Sequence, residues 1–351
     1  MKYNFRNLIL IFTLLIVGFT PVQASSLQEL SFEQAVELMN ENNLGLKIAE
    51  INLEIAEIDY QKAMASNLMS GSQQSKMQAE HSLERARNTY RTAKRNNYLE
   101  IFRAYTDVLS AERALEIREL ERSIAEHDYT IVQEKVRIGD AGRLDDLQEL
   151  NRLEAAKRAE LAAEHTLAET TRQLKRLVGL TEDTALKLGL EFALPELDLT
   201  LEESIALGLE NSFNLWDQKS SLELQERQLQ TSKIDGSAPI DVKRAELNIT
   251  ISRLNLEQEQ ASIVESITSS YHSLTDNRAR LTSAERDWEI AQETYAIYQQ
   301  QEEAGLITEM QLLQHKISML NSHNNWQDAK VAYLISFLQF HHLLGLDGKL
   351  Q

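Results

Sequence analysis

The chain has 351 residues, no cysteine, and 54 acidic against 36 basic residues, so its formal net charge is −18 at pH 7. This charge opposes nucleic acid and anionic lipid as partners, because both bind basic surfaces. The lack of cysteine excludes disulfides and thiolate sites for metal or redox chemistry. With only three prolines, the composition is typical of long helices, and we expect an all-α fold.

Residues 1–24 are typical of a signal peptide. Lys2 and Arg6 precede an apolar run from Leu8 to Phe19, and Val22-Gln23-Ala24 has the small-residue pattern of a cleavage site. As a helix this run would rise about 18 Å, against about 30 Å of bilayer hydrocarbon. We therefore predict that the chain is exported and released.

The rest of the chain repeats one pattern of segments. The paired segments are 30–36 with 199–205, 141–148 with 304–311, and 177–180 with 343–346. A duplication of this length predicts two structural copies. The predicted organisation is a signal peptide (1–24), a first repeat (25–180), a linker (181–198) and a second repeat (199–351).

Helical periodicity divides the first copy into four helices. The predicted segments are a short helix at 32–41, a second helix at 45–65, a long helix at 72–138 and a return helix at 144–177. Serine and glycine at 66–75 predict a break after the second helix, and Gly139 and Gly142 supply the turn before the return helix. The long helix carries one narrow apolar seam at sevenfold spacing, which includes Ile101, Ala104 and Val108.

The second copy repeats this layout. Its second helix is predicted to end at Ile234, its long helix at Glu303 and its return helix at His342. Ser237 is a candidate N-cap, with Pro239 in the first turn of the long helix. Alternation at Leu247, Ile249 and Ile251 suggests a strand, but a longer helical seam runs through the same residues and favours a helix.

The predicted lengths restrict how the helices pack. The long helix spans about 100 Å, and the second and return helices span about 30 and 50 Å. The two shorter helices can therefore lie end to end beside the long one. One chain then supplies four columns, which form either a solid bundle or one arc of a larger hollow cylinder.

The duplicated motifs resemble those of the TolC-like outer membrane efflux proteins. The residues that carry the resemblance are the Leu-Ser-Phe-Glu-Gln-Ala and Leu-Thr-Leu-Glu-Glu-Ser openings, Tyr105 and Tyr271, both Ala-Gly turns and both Gly-Leu endings. The resemblance implies a homotrimer whose helices form a twelve-helix α-barrel in the periplasm. It implies a passive conduit of a tripartite efflux or type I secretion system, with a periplasmic adaptor protein and an inner-membrane pump as partners.

The resemblance also implies where the adaptor binds. In the family the glycine-containing turns face the pump and meet the adaptor. Carried over by position, these tips are Gly139, Asp140, Ala141, Gly142, Arg143, Leu144, Ala304, Gly305, Leu306, Ile307 and Thr308.

One departure from the family pattern is large. The family inserts a membrane β-hairpin between the second and long helices of each copy, whereas this chain has only 66–75 and 235–237 there. A single membrane strand takes about 9 to 11 residues, so we expect no transmembrane β-barrel, and another outer-membrane component is a possible partner. The alternative function is a non-transporting scaffold of the cell envelope. With either function, the duct or the scaffold, we expect the protein in the periplasm, associated with the outer membrane or the cell envelope.

Enzymatic chemistry has no motif in this sequence. No acid and base pair, phosphate-binding loop or Gly-x-Ser-x-Gly pattern occurs. The eight histidines lack the spacing of metal ligands, and His341 and His342, being adjacent, point to different faces of a helix. We therefore expect no catalytic residue, no metal and no cofactor.

Overall fold

The computed structural model of the chain describes residues 28–70, 73–189 and 192–346. These residues form eight helices: α1 (Phe32–Asn42), α2 (Leu44–Ser70), α3 (Gln73–Ile138), α4 (Arg143–Val178), α5 (Leu201–Asn211), α6 (Phe213–Ile234), α7 (Pro239–Glu303) and α8 (Glu309–Leu343). Two short strands accompany them, β1 (Gln28–Leu30) and β2 (Leu186–Leu188). The predicted all-α class is confirmed. The predicted signal peptide lies outside the described residues.

Both copies begin with the same hydrogen-bonded cap. The Ser31 hydroxyl accepts from the Gln34 backbone N–H, and the Gln34 side chain accepts from the Ser31 N–H, so α1 starts with a capping box. Thr200 and Glu203 form the same pair at the start of α5. The repeated opening is thus a repeated helix start.

Both copies also end in the same contact between helices. Asn42, the last residue of α1, donates through Nδ2 to the carbonyl oxygen of Val178 at 2.9 Å. The next residue, Gly179, has φ 74° and ends α4. In the second copy, Asn211 donates to the carbonyl of Leu344 at 3.0 Å. The repeated asparagine and the repeated Gly-Leu ending therefore belong to one contact, in which a hydrogen bond holds each short helix against the end of its return helix.

The helices lie side by side as four columns. Helices α2 and α4 both pack against α3, and α6 and α8 both pack against α7 and also against α3. Ion pairs mark the order along α3: Arg87 contacts Glu57 of α2, and Arg122 contacts Glu160 of α4. The column order is therefore α2 with α4, then α3, then α6 with α8, then α7, which confirms that the shorter helices lie end to end.

The core lies near the middle of the long helices, where α1 and α4 pack against α3 and where α5 and α8 pack against α7. Ile101, Phe102 and Tyr105 of α3 are fully buried there, and Phe32 of α1 packs edge-on against Phe102 and Tyr105. The Tyr105 hydroxyl lies 2.8 Å from the carbonyl oxygens of both Leu30 and Gly189. This tyrosine therefore fastens β1 and the residue after β2 to the long helix.

The β1–β2 pair was not expected from the sequence. The two strands pair in parallel, with Gln28 opposite Leu186 and Leu30 opposite Leu188. Each strand has only three residues, too few for the alternation that predicts a strand. The pair places part of the predicted linker against the start of the first repeat.

Two predicted boundaries were wrong. Helix α2 continues through the expected break as far as Ser70, and α3 begins at Gln73, because serine costs a helix only a few tenths of a kcal/mol. The N-cap of α7 is Ala238 rather than Ser237, although Pro239 does occupy the first turn. The segment with alternating Leu247, Ile249 and Ile251 is helical, as favoured.

Candidate functional site

The first tip is the turn between α3 and α4. Gly139 has φ 83°, and the backbone N–H groups of Gly139 and Asp140 bond to the carbonyls of Val136 and Lys135. Such bonds close the end of a helix when a residue adopts the left-handed conformation. Gly142 then starts α4, and its N–H donates to the Asp145 carboxylate at 2.8 Å.

The second tip, between α7 and α8, is built in the same way. Gly305 has φ 70°, and the N–H groups of Gly305 and Leu306 bond to the carbonyls of Glu302 and Gln301. Thr308 and Gln311 form a capping box that starts α8. Both tips are therefore turns whose backbone is hydrogen-bonded within the tip itself.

The two tips lie at the same end of the molecule. Arg113 of α3 donates to Asn324 of α8 at 3.0 Å and lies 3.6 Å from Asp328. Farther from the tips, Arg95 of α3 donates to the carbonyl oxygen of Gly345, just after α8. The two contacts show that α3 and α8 run antiparallel, so the end of α3 at the first tip and the start of α8 at the second tip lie at one end of the bundle.

The tips present apolar side chains within an acidic surrounding. Leu144 is 67% exposed, Leu306 74% and Ile138 70%, whereas Ala141 and Ile307 are partly covered. Six acidic residues and one basic residue, Arg143, occupy positions 139–146 and 302–309. An exposed apolar patch with polar neighbours is typical of a contact site for another protein.

An ion pair stiffens the hairpin that carries the first tip. The Arg122 guanidinium lies 2.6 Å from Glu160 of α4 and 2.8 Å from Glu126. The hydrogen bond and charge of Glu160 raise the pKa of Arg122. Arg122 therefore cross-links α3 and α4.

The two outer columns have exposed apolar stripes. On α2 the stripe follows a heptad pattern with spacings of four and three residues, and its members are 45–73% exposed: Leu44, Ile48, Ile51, Ile55 and Ile58. On the first half of α7 the exposed members are Ile240, Leu247, Ile251 and Leu254. Sequence reasoning missed the α2 stripe, which is a second heptad pattern offset from Leu46 and Ala49. It did place Leu247 and Ile251 of α7 in a helical seam, but the structure shows that these two residues are exposed.

The angle between the exposed face and the buried face of α2 restricts the assembly. The residues of the exposed stripe lie two positions along the chain from residues such as Leu46 and Ala49, which are buried against the rest of the chain. Two residues of a heptad turn through about 205°, so the two faces are about 155° apart. In a solid four-helix bundle, the directions from one helix to its two neighbours are about 90° apart. In a ring of twelve columns, the same two directions are about 150° apart. The α2 face therefore fits a gently curved arc.

Comparison with known proteins identifies the fold. The outer membrane efflux protein family matches residues 237–346. This segment, which comprises α7, α8 and the tip between them, is therefore similar to that family. No curated protein matches the sequence significantly.

Solved channels extend the likeness over both copies. The outer membrane channel CmeC of Campylobacter jejuni superposes with a TM-score of 0.63 at 15% identity, covering 90% of this chain and 85% of CmeC. VceC of Vibrio cholerae gives 0.62 at 13%, covering 90% and 96%, and the open state of MtrE of Neisseria gonorrhoeae gives 0.57 at 13%, covering 90% and 89%. The resemblance to TolC-like efflux proteins is therefore confirmed at the level of the fold.

Neither a metal centre nor a membrane helix is found in the part of the chain that the structure describes. No group of three or more His, Asp or Glu side chains there could hold a metal ion. None of the helices between residues 28 and 346, outside the two short gaps, has both the length and the hydropathy of a membrane span.

Proposed function

We propose that the chain is the periplasmic duct of a tripartite efflux or type I secretion system, and that it works as a homotrimer. Three four-column arcs supply the twelve columns of a cylinder, and exported substrates pass through its bore without chemistry by this chain. The efflux protein domain at 237–346 and the channel fold of both copies support this proposal.

The main support for this proposal is the pair of exposed apolar stripes on α2 and α7. Ile48 and Ile55 of α2 are 59% and 51% exposed, and Ile251 and Leu254 of α7 are 55% and 59% exposed. Stripes of this kind need neighbouring helices along their length. Because α2 and α7 are at opposite ends of the column order, each copy offers a different edge to the next, which is the head-to-tail contact that closes a ring.

The tips are the surface that we assign to the adaptor protein. Leu144 and Leu306 are exposed on turns whose backbone is already hydrogen-bonded, which lowers the cost of ordering the backbone on binding. The acidic residues around them would favour a partner with basic residues at its contact surface. The pump would supply the energy through the adaptor.

Recovery of the adaptor with the tagged protein tests this function. We expect the exported protein to bring down a periplasmic adaptor protein and an inner-membrane pump, and Leu144→Ser with Leu306→Ser to lose both. Deletion of the gene should retain the exported substrate in the cell, and the intact gene should restore export. An envelope scaffold that does not transport would leave export unchanged after deletion, and this result would refute the proposal.

A further inference from the structure

His323 of α8 lies between two tryptophan rings. Its ring centroid is 4.6 Å from that of Trp288 on α7 and 5.7 Å from that of Trp326 on α8. Its Nε2 atom lies 3.3 Å from Nε2 of Gln327. Because histidine changes its charge near neutral pH, a histidine enclosed in this way can respond to protons by moving its neighbours.

The residue next to His323 joins the two copies of the repeat. Asn324 of α8 accepts a hydrogen bond at 3.0 Å from Nε of Arg113 on α3, and the Asp328 carboxylate lies 3.6 Å from the same guanidinium. The side chain of Arg113 is 19% exposed, whereas that of Asp328 is 60% exposed. Burial lowers the pKa of Arg113, and the carboxylates of Asp328 and Glu112 oppose this effect only in part. The contact therefore contains a buried cation that its partners do not fully compensate.

The charges that act on His323 come from α3. Burial is the largest effect and lowers the pKa of His323, Arg113 lowers it further, and Glu116 raises it. Lys330 borders the cluster from α8 with another positive charge, 5.9 Å from the centroid of the neighbouring tryptophan ring. On α7, the two acidic residues beside the tryptophan are exposed to water, which screens them: Asp287 and Glu289. These surroundings favour the neutral form of His323.

We propose that protonation of His323 weakens the contact between α3 and α8, so that the two copies separate there in acid. The imidazolium would be a second cation near the buried guanidinium of Arg113, where two tryptophans limit the access of water. Like charges repel more strongly where water is excluded. Movement of α8 away from α3 hydrates both cations and relieves the repulsion. The contact is therefore a proton-controlled joint within one chain, and it does not depend on the duct or on its trimeric state.

The pH range follows from the direction of the pKa shift. While the copies are joined, His323 has a pKa below the ordinary 6.5, and separation of α8 from α3 returns it toward that value. The joint should therefore be at full strength above pH 6.5 and should weaken below it. The ratio of separated to joined chains should rise by up to about tenfold for each pH unit below 6.5, until the pKa of the joined state is reached.

Tryptophan fluorescence tests the protonation of His323. The chain has three tryptophans, and Trp216→Phe leaves only the two that flank this histidine. Protonated histidine quenches adjacent tryptophan, so the emission should fall in acid with a midpoint below pH 6.5. His323→Gln should abolish this titration. A midpoint at or above pH 6.5, or the same titration in His323→Gln, would overturn the proposal.

The distance between α3 and α8 tests the joint itself. Because the chain has no cysteine, Ala114→Cys with Asn321→Cys places two spin labels at exposed positions beside the contact. With excess unlabelled chain present, double electron–electron resonance should give one distance distribution at pH 7.5 and an additional longer one at pH 5.0. Circular dichroism should show the same helix content at both pH values. His323→Gln should keep the distribution of pH 7.5 at pH 5.0.

His81→Gln is the matched control. His81 also stacks on a tryptophan, with 5.5 Å between its ring and that of Trp216, and it lies 3.0 Å from Asp217 of the second copy. It precedes Arg113 by 32 residues of α3, about 48 Å along a helix, so this variant should respond to acid like the parent. An unchanged distance in the parent at pH 5.0, loss of helix there, a response in His323→Gln, or no response in His81→Gln would each overturn the joint. Export after gene deletion tests the duct independently of these results.

Discussion

Replacement of Gly179 by alanine tests how each return helix is fastened to its short helix. A residue with φ 74° in place of glycine costs about 1 kcal/mol. The new Cβ would lie 2.5 Å from Nδ2 of Asn42, so Asn42 must move and give up its bond to the carbonyl of Val178. Val178 is 1% exposed, and a buried carbonyl without a partner costs about 1–3 kcal/mol. We expect Gly179→Ala to lower the free energy of unfolding by about 2–4 kcal/mol.

Urea unfolding followed by circular dichroism at 222 nm measures this loss, at one protein concentration because association adds to apparent stability. Gly139→Ala is the control, since Gly139 has φ 83° but nothing within 4 Å of an added Cβ, and it should cost about 1 kcal/mol. In an Asn42→Ala background, Gly179→Ala should also cost about 1 kcal/mol. Equal losses for Gly179→Ala and Gly139→Ala in the parent chain would refute the contact.

Three further predictions concern the core, the buried histidine and the edges. Tyr105→Phe should cost about 1–3 kcal/mol in the same urea assay, because the carbonyl that accepts from the hydroxyl and the Gly189 N–H that donates to it both lose their partner; a smaller loss would show that water replaces the hydroxyl. Burial lowers the pKa of His341 below the ordinary 6.5, so the folded state resists protonation. The contribution of His341 to stability should therefore be constant above pH 6.5 and should fall by up to about 1.4 kcal/mol per pH unit below it. Burial also lowers the pKa of His323, so His341→Gln should reduce the slope without abolishing it, and an unchanged slope would contradict the burial of His341. Ile51→Ser with Ile55→Ser should lower the mass of the assembly in light scattering without loss of helix, whereas Glu54→Ser, on the same helix, should not.

The duplication allowed most of the fold to be predicted from the sequence. Caps such as Ser31 and Thr200 and turn glycines such as Gly139 act within four residues of the chain, so their patterns predict where helices begin and end. The break at 66–75 was predicted wrongly, because serines weaken a helix too little to stop one that neighbouring columns support.

Contacts between distant segments were harder to predict. The β1–β2 pair depends on Tyr105 holding segments that are far apart in sequence, and three-residue strands leave no periodic signal. The tips were located by resemblance, and their role as adaptor contacts stays a prediction. The exposed stripe of α2 could have been found from the sequence, because α2 has apolar residues on two faces. A search for a second heptad pattern, offset by two residues from the first, would have detected it.

The mass of the native assembly is the most direct test of the central claim, that the chain forms one arc of a closed cylinder. Light scattering on the exported protein should give three times the mass of one chain, with the helix content expected from α1 to α8. A monomer with that full helix content would contradict the account, because the apolar edges of α2 and α7 would then be exposed to water without a partner.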